Sequence, residues 1–403
     1  MQQALLIILL ILFGLYILLI LYYWRSWVSI PEYNVPTGSC GKSQKSKVKT
    51  RISVIIPARN EEENIAACLD SVCDQTYPSA LFEVLVVDDH STDNTAAIVQ
   101  SYENKNVELI SLRDFVQDEL NSYKKKAIEV AIAQSTGGLI VCTDADCIVS
   151  QNWLQTIAAF YEQYQPQFIA APVAFLPSPA GEGPGVRFIA IFQALDFMTL
   201  QGITGASVHK KIHSMCNGAN LAYTKKAFEA VGGFTGIDSI ASGDDMLLMH
   251  KIYTHWPDKV MFLKSKEAIV QTAPVHSIGE FFNQRIRWAS KADKYDDKRI
   301  FAVLLLVYLV NVLMLLLPFV RLVHPENLSI INYPLSITDL WLLLLLLKTI
   351  TEMIFLMPVS KFFGKRNLLW AFPLMQPFHI LYTVIAGWLG KFGSYKWKGR
   401  NVK

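Results

Sequence analysis

Phe82-Glu83-Val84-Leu85-Val86-Val87-Asp88-Asp89-His90-Ser91-Thr92-Asp93 is the stretch that decides the fold. A near-continuous apolar run that stops abruptly at carboxylates reads as a strand buried on both faces, the pattern of a parallel sheet. Ser91 or Thr92 is then the expected cap of the next helix. Upstream, Ile52-Ser53-Val54-Ile55-Ile56-Pro57 is a second β-rich run, and Asn60 with Glu63 has the spacing of a capping-type helix start. Downstream, the pattern predicts a strand near 107–111, a helix over 122–135 and a strand over 138–143. Such alternation gives an open α/β sheet whose ligand lies beyond the carboxyl ends of the strands. Asp88 and Asp89 sit at one such end, and Asp144 and Asp146 at another, so the two pairs are expected to converge.

Leu139-Ile140-Val141-Cys142-Thr143 delivers Asp144-Ala145-Asp146, two carboxylates on one side of the chain. Strand-end Asp pairs also serve as turns and helix caps. Here the oxygens suit a hard cation, because Mg²⁺ or Mn²⁺ bridges one or two carboxylates to substrate phosphates. Roughly a hundred residues on comes Gly243-Asp244-Asp245, a second acidic pair available as a base, and then Gln284-Arg285-Ile286-Arg287-Trp288. Gln284, Arg287 and Trp288 fall at i, i+3 and i+4, on one helix face. An arginine fork suits a diphosphate and a tryptophan face suits a sugar ring. A snorkelling Arg on an interfacial helix is the bland alternative.

Long apolar runs flank this stretch. Residues 4–23 carry no charge and are long enough to cross ~30 Å of hydrocarbon. No basic residue precedes them and no small-residue cleavage site follows, so an uncleaved anchor over 1–24 is expected. Tyr22, Tyr23 and Trp24 form an aromatic belt, and Arg25 with Lys42, Lys45, Lys47, Lys49 and Arg51 puts the next domain in the cytoplasm. Residues 301–320 read as a second span and 335–359 as a third. In the third, Lys348 and Glu352 are spaced to pair on one face. The run 367–390 holds Pro373, Gln376, Pro377 and His379 and is not expected to cross as one straight helix. The tail has five basic residues over 391–403, so it is expected on the cytoplasmic side. The domains expected are thus the anchor, a linker over 25–50, an α/β domain over 51–298, membrane helices over 299–390 and a basic tail.

The composition agrees. Of 403 residues, 52% are hydrophobic, too apolar for a purely soluble chain. A net charge of +3 carries no nucleic-acid footprint. The six cysteines (40, 68, 73, 142, 147, 216) make neither a CxxC pair nor a spaced Cys/His set, so reduced core thiols are expected.

Six motifs in order resemble the family 2 glycosyltransferases of the GT-A fold, in the membrane-anchored branch with the QxxRW signature. That branch includes cellulose, chitin, hyaluronan and poly-N-acetylglucosamine synthases and ceramide-type glucosyltransferases. The motifs are Ile55–Glu61, Val86–Asp93, Asp144-Ala145-Asp146, Cys216-Asn217-Gly218-Ala219-Asn220, Gly243-Asp244-Asp245 and Gln284–Trp288. The resemblance implies a Rossmann-like, mostly parallel sheet. It places Pro57, Arg59 and Glu61 in the nucleotide pocket and Asp88 or Asp89 near the uracil. Lys124 falls on the nucleotide side, although a solvated helix face is the other use of Lys124-Lys125-Lys126. Asp144 approaches the ribose or sugar, Asp146 the metal (Mg²⁺ or Mn²⁺), and Asn217, Gly218 and Asn220 the sugar and acceptor. Gln284, Arg287 and Trp288 complete the donor site, and Asp245 is the general base. Where the family usually has Glu-Asp, this chain has Asp244-Asp245.

The chemistry expected is one in-line displacement with inversion, since no second carboxylate is left to act as nucleophile. The partners expected from the resemblance are a nucleotide-sugar donor, UDP-linked in this branch, and a membrane lipid or lipid-linked glycan acceptor. A processive polysaccharide synthase is the alternative, and four helices at most would make a thin channel without a partner subunit. A metal-dependent nucleotidyl- or phosphotransferase is the remote alternative and leaves the QxxRW residues unexplained.

Overall fold

The computed structural model describes residues 2–35, 49–116, 120, 122–176, 184–238, 240, 243–291, 295–323, 328–330, 333–393, 395–397 and 400–402. The chain divides into two compact units. One is Ile30–Pro177 with Ser207–Pro274, and the other is Met1–Ser29, Ser178–Ala206 and Val275–Lys403.

The first is a sheet unit. It contains β1 (Ile52–Ala58), α2 (Ile65–Cys73), β2 (Phe82–Asp88), α3 (Thr95–Gln100), β3 (Val107–Ser111), α4 (Tyr123–Gln134), β4 (Leu139–Cys142), β5 (Cys147–Ile148), α5 (Trp153–Tyr164), β6 (Phe168–Ala170) and β7 (Val173–Phe175). After the excursion into the other unit come β8 (Leu221–Thr224), α7 (Lys225–Ala230), α8 (Asp244–His255), β9 (Val260–Phe262) and β10 (Val270–Thr272). The main sheet has the order β3-β2-β1-β4-β8-β6-β9, and among these only β8 runs against its neighbours. A small second sheet, β5-β10-β7, lies after the DxD turn. Central strands bury both faces: Val54, Ile55 and Ile56 of β1 and Val84, Val86 and Val87 of β2 have no exposed surface. Each such residue contributes about 1.5–3 kcal/mol of hydrophobic stabilisation.

The expected elements form, with two corrections at helix starts. Asn60 does not begin a helix. It takes φ +50°, its side chain accepts from the Thr92 amide, and α2 starts at Ile65. Neither Ser91 nor Thr92 caps α3; Asp93 accepts from the Thr95 amide at 3.0 Å instead. In both cases short polar side chains bind loop backbone rather than the nearest helix end.

The other unit is helical. It holds α1 (Gln2–Ser29), α6 (Pro184–Lys210, through Ala206), α9 (Ile278–Ala289), α10 (Lys298–Val323), the pair β11 (Leu328–Ile330) and β12 (Tyr333–Leu335), α11 (Ile337–Phe362), α12 (Phe372–Phe392) and the hairpin β13 (Tyr395–Trp397) with β14 (Arg400–Val402). Among the described residues, five helices are long and apolar enough to cross a membrane: Leu6–Ser29, Arg187–Lys210, Lys298–Phe319, Ile337–Phe362 and Arg366–Phe392. Four coincide with the apolar runs. The fifth, α6, lies inside the stretch read as soluble, where Arg187, Gln193, Asp196 and Gln201 interrupt its hydrophobic pattern.

Lys348 and Glu352 pair as their spacing predicted, at 2.7 Å. Gln376 of α12 closes the network from both ends, accepting from Lys348 at 2.9 Å and donating to Glu352 at 2.5 Å, while the Tyr16 hydroxyl of α1 also donates to Glu352. The run from 366 is a 3₁₀ turn, Arg366–Ala371, followed by one helix. Pro373 fits in its first turn, where the missing N–H is not needed. Ser394, Lys398, Gly399 and Lys403 of the basic tail lie outside the described residues, and so does Cys40. Cys68, Cys142, Cys147 and Cys216 are buried free thiols and Cys73 is partly exposed.

Candidate active site

The carboxyl edge of the parallel strands gathers most of the expected residues of the sheet unit. At the end of β1, Pro57 and Ala58 lead to Arg59, whose guanidinium donates to the Asp89 carbonyl at 2.7 Å and lies 3.6 Å from its carboxylate. Asp89 in turn donates its amide to Ala58 at 2.8 Å, so the ends of β1 and β2 are knitted together. Asp88 and Asp89 are both buried, and Asp88 accepts from the Ser91 amide at 3.3 Å. Glu61 lies on the loop after Arg59 and accepts from Asn64 at 3.0 Å.

On the other side of β1, β4 delivers the DxD. Lys124, in the first turn of α4, places its ammonium 2.7 Å from Asp144 and 3.5 Å from Asp244. Burial would make this ammonium easier to deprotonate, but Asp144, Asp244 and Asp245 outweigh it and hold the group well above the ordinary lysine range. The lysine triplet is therefore not a solvated face. Lys125 is buried and donates to the carbonyls of Ile237 and Ile240, and only Lys126 pairs at the surface, with Glu129.

Asp245 opens α8. Its two oxygens accept from the amides of Gly218, at 2.9 Å, and of Met246, at 2.7 Å, which fixes the carboxylate's orientation at a helix N-terminus that favours its charge. Gly218 lies close against the Lys124 and Asp244 side chains. A Cβ there would stand 3.3 Å from the Lys124 ammonium and 3.6 Å from Asp244. A small cavity touches Pro57, Lys124, Thr143, Gly218, Asp244 and Asp245 together. Asn220, expected beside the sugar, is instead fully buried. It donates to the carbonyls of Pro172 and Ala268 at 2.7 Å and accepts from the Trp153 indole, so it staples the core.

Asp146 is mostly buried, and burial first, then the neighbouring charges of Asp144 and Glu61, push its carboxyl above the usual range. Thr272 donates to it at 3.2 Å. An oxygen-only site with surplus negative charge fits a hard divalent ion. Among the described residues no three His, Cys, Asp or Glu side chains converge. Such a set matches an ion shared between one or two carboxylates and a substrate's phosphates.

Gln284, Arg287 and Trp288 lie in the helical unit, all on α9, which begins with a capping box between Ser277 and Glu280. Arg285, between them, is the residue that the sequence reading passed over. It is buried, donates to Gln284 at 2.8 Å and to Asp196 at 2.6 Å, and its guanidinium lies 4.2 Å from the centre of the Trp288 ring. Asp196 stands on α6, the helix hidden in the sequence. An acidic residue in an otherwise mostly apolar helical stretch was its available signal.

Residues 53–232 match the family described as glycosyl transferase family 2. The chain is 27% identical to glycosyltransferase AglE of Haloferax volcanii over 267 residues, 63% of this chain and 79% of that protein. It is 26% identical to the β-monoglucosyldiacylglycerol synthase of a Synechocystis strain over 247 residues, 59% of this chain and 47% of that protein, so the chain spans about half that relative's length. Among solved structures, the mannosyltransferase PcManGT from Pyrobaculum calidifontis, in complex with GDP-Man and Mn²⁺, superposes with a TM-score of 0.53 at 17% identity, over 96% of this chain and 99% of that one. That likeness is one of fold: α/β, mostly parallel, with apolar helices at both ends of the chain. The match to glycosyl transferase family 2 thus falls on residues 53–232, a little under half of the chain.

Proposed function

We propose that this protein transfers a sugar from a nucleotide-sugar donor, UDP-linked, to a membrane-associated acceptor, either a lipid or a lipid-linked glycan. The observation that carries the reading is the ammonium of Lys124 between Asp144 and Asp244, which ties the DxD and the motif of the base into one site. The long apolar helices support an acceptor drawn from a bilayer. Basic residues after α1 support a cytoplasmic catalytic unit in a multi-pass protein of the cell membrane.

In this reading Pro57, Arg59, Glu61, Asp88 and Asp89 receive the nucleotide, and Lys124 and Asp144 receive its ribose, sugar or phosphates. Asp146, with Asp144, would hold Mg²⁺ or Mn²⁺. When bound, that ion supplies Lewis-acid stabilisation of a departing diphosphate. Gln284, Arg287 and Trp288 serve the diphosphate and the sugar ring. Asp245 takes the proton of the acceptor hydroxyl as its oxygen bonds to the anomeric carbon and the bond to the diphosphate breaks. The configuration at that carbon is inverted, giving a β-linkage from an α-linked donor. A processive synthase would use the same step repeatedly.

The test uses the full chain in lipid bilayers with a panel of UDP- and GDP-sugars. Nucleotide release that depends on added lipid, with a lipid product one hexose or N-acetylhexosamine heavier by mass spectrometry, is the expected result. A protein that releases nucleoside monophosphate and forms a phosphodiester would be a phosphotransferase and would overturn the reading.

A further inference from the structure

Gln284 and Trp288 have a common neighbour. The Arg285 guanidinium donates to Gln284 Oε1 at 2.8 Å and stacks 4.2 Å from the Trp288 ring centre, with the Phe281 ring on it at 4.7 Å. A planar cation between aromatic faces gains cation–π attraction that grows as water is excluded, and here its side chain is only 4% exposed. What fixes the guanidinium is Asp196. One oxygen of this buried carboxylate accepts from Arg285 Nη2 at 2.6 Å and the other from the Tyr382 hydroxyl of α12 at 2.5 Å. Three helices distant in sequence therefore meet at one carboxylate.

The geometry points to Asp196 as a positioning residue for sugar transfer, acting through Arg285 to set the side chains of Gln284 and Trp288. The assignment deepens the glycosyltransferase reading and rests on it for the role of Trp288. Asp196 touches neither donor nor acceptor in this scheme. Its carboxylate locks the rotamer and plane of Arg285, and Arg285 presents one edge to Gln284 and one face to Trp288. Packing alone would not require a charge here. Isolated buried ions are strongly disfavoured, while a buried pair can be exchanged for neutral groups at little net change in stability. An acid kept in an apolar helix for a partner that itself carries the donor-site residues is more economically explained by the fixed direction of the Arg285 fork.

The test is a double-mutant cycle on the full chain in lipid nanodiscs. Asp196→Asn alone strands the Arg285 charge and risks misfolding, so the main variant is Asp196→Asn/Arg285→Met. It removes both charges and leaves Tyr382 an acceptor. The emission of Trp288 is read as the difference from Trp288→Phe, with and without acrylamide. The pair variant is expected to melt within a few degrees of the parent, to expose Trp288 to quencher, and to lose about 10²-fold in kcat/KM for the sugar donor, the scale of a small misplacement. Adding Trp288→Phe should then lose nothing more, because coupled residues are not additive. Unchanged Trp288 quenching with parental transfer, or losses that multiply independently, overturns the assignment. The quenching needs no turnover, so a parent silent toward every nucleotide sugar would sink the glycosyltransferase reading while the link from Asp196 to Trp288 is still decided.

Discussion

Lys124 Nζ stands 2.7 Å from Asp144 Oδ1 and 3.5 Å from Asp244 Oδ2, so one ammonium joins two acidic motifs about a hundred residues apart in sequence. Lys124→Met leaves Asp144 and Asp244 facing each other without a cation between them. A charge-assisted hydrogen bond is worth about 1.5–3 kcal/mol, so kcat/KM for the donor should fall about 10- to 100-fold. Titration of the donor at saturating acceptor measures it, and a change under twofold would separate Lys124 from the site.

Asp146→Asn tests the divalent ion. Metal-dependent binding of UDP, followed by calorimetry, should disappear, and turnover should fall by several kcal/mol in barrier, about 10²-fold or more. The same variant should raise Tm in chelator at neutral pH. Burial and the charges of Asp144 and Glu61 already disfavour the ionised form, so an uncharged amide relieves the folded state. Full turnover in excess chelator would remove the metal from the mechanism.

Asp245→Asn keeps the shape of the side chain and its place beside Gly218. Transfer should drop about 10²–10⁴-fold, the range of a general base, with donor affinity near normal. Loss of UDP affinity with turnover kept at saturating donor would assign Asp245 to the nucleotide instead.

Glu83 ties three pieces of the sheet unit. Burial would raise its carboxyl, but donors from Ser53, at 2.6 Å, from the Thr136 amide and hydroxyl, at 2.7 and 2.8 Å, and from the Gly137 amide hold it below its ordinary value. A depressed carboxyl stabilises the fold fully above the unfolded value of about 4.3 and loses that contribution as pH falls through the folded value. Glu83→Gln should therefore cost about 1–2 kcal/mol at neutral pH, discounted for its partial exposure, and nothing in strong acid. Denaturant melts at both extremes decide it, and an equal loss at each would contradict the linkage.

Five basic residues over 391–403 predict a cytoplasmic tail. Trp27 near the end of α1 meets Phe362 at the end of α11, so these helices finish at the same level. Gln376 meets Glu352, about 15 Å back from that level, and Gly387 packs on Tyr308, about 15 Å along α10 from its start. Lys391→Cys, in a background without the other cysteines, should resist an impermeant thiol reagent outside intact cells. Labelling from outside would place the tail across the membrane.

The strand ends were legible because a buried parallel strand leaves an apolar run and the active edge leaves carboxylates after it, as at Val87-Asp88 and Cys142-Thr143-Asp144. Lys348 and Glu352 were legible from spacing alone. Helix starts were less so, since Asn60 and Asp93 could bind either helix amides or neighbouring loops, and tertiary contacts chose the loops. The helix α6 was hidden because its polar residues face partners such as Arg285, Tyr382 and Val275 that lie far along the chain. Asn220 illustrates the same limit in reverse: a motif residue can be kept for two buried carbonyls rather than for a ligand.

The Tyr16–Glu352 contact also sets a schedule for biogenesis. Its partners are 336 residues apart, so in a chain that enters a bilayer as proposed above, at about 5–20 residues per second, α1 would wait some 20–70 s there before Glu352 is made. During that interval Tyr16 would lack its carboxylate partner, as a phenol that hydrocarbon tolerates, whereas Lys348 and Glu352 would emerge together and enter already paired within one helix. In that reading charge would travel into the membrane as a pair and the late helix would dock on the early one. A truncation before α11 should therefore yield an inserted α1 that quality control recognises as unassembled.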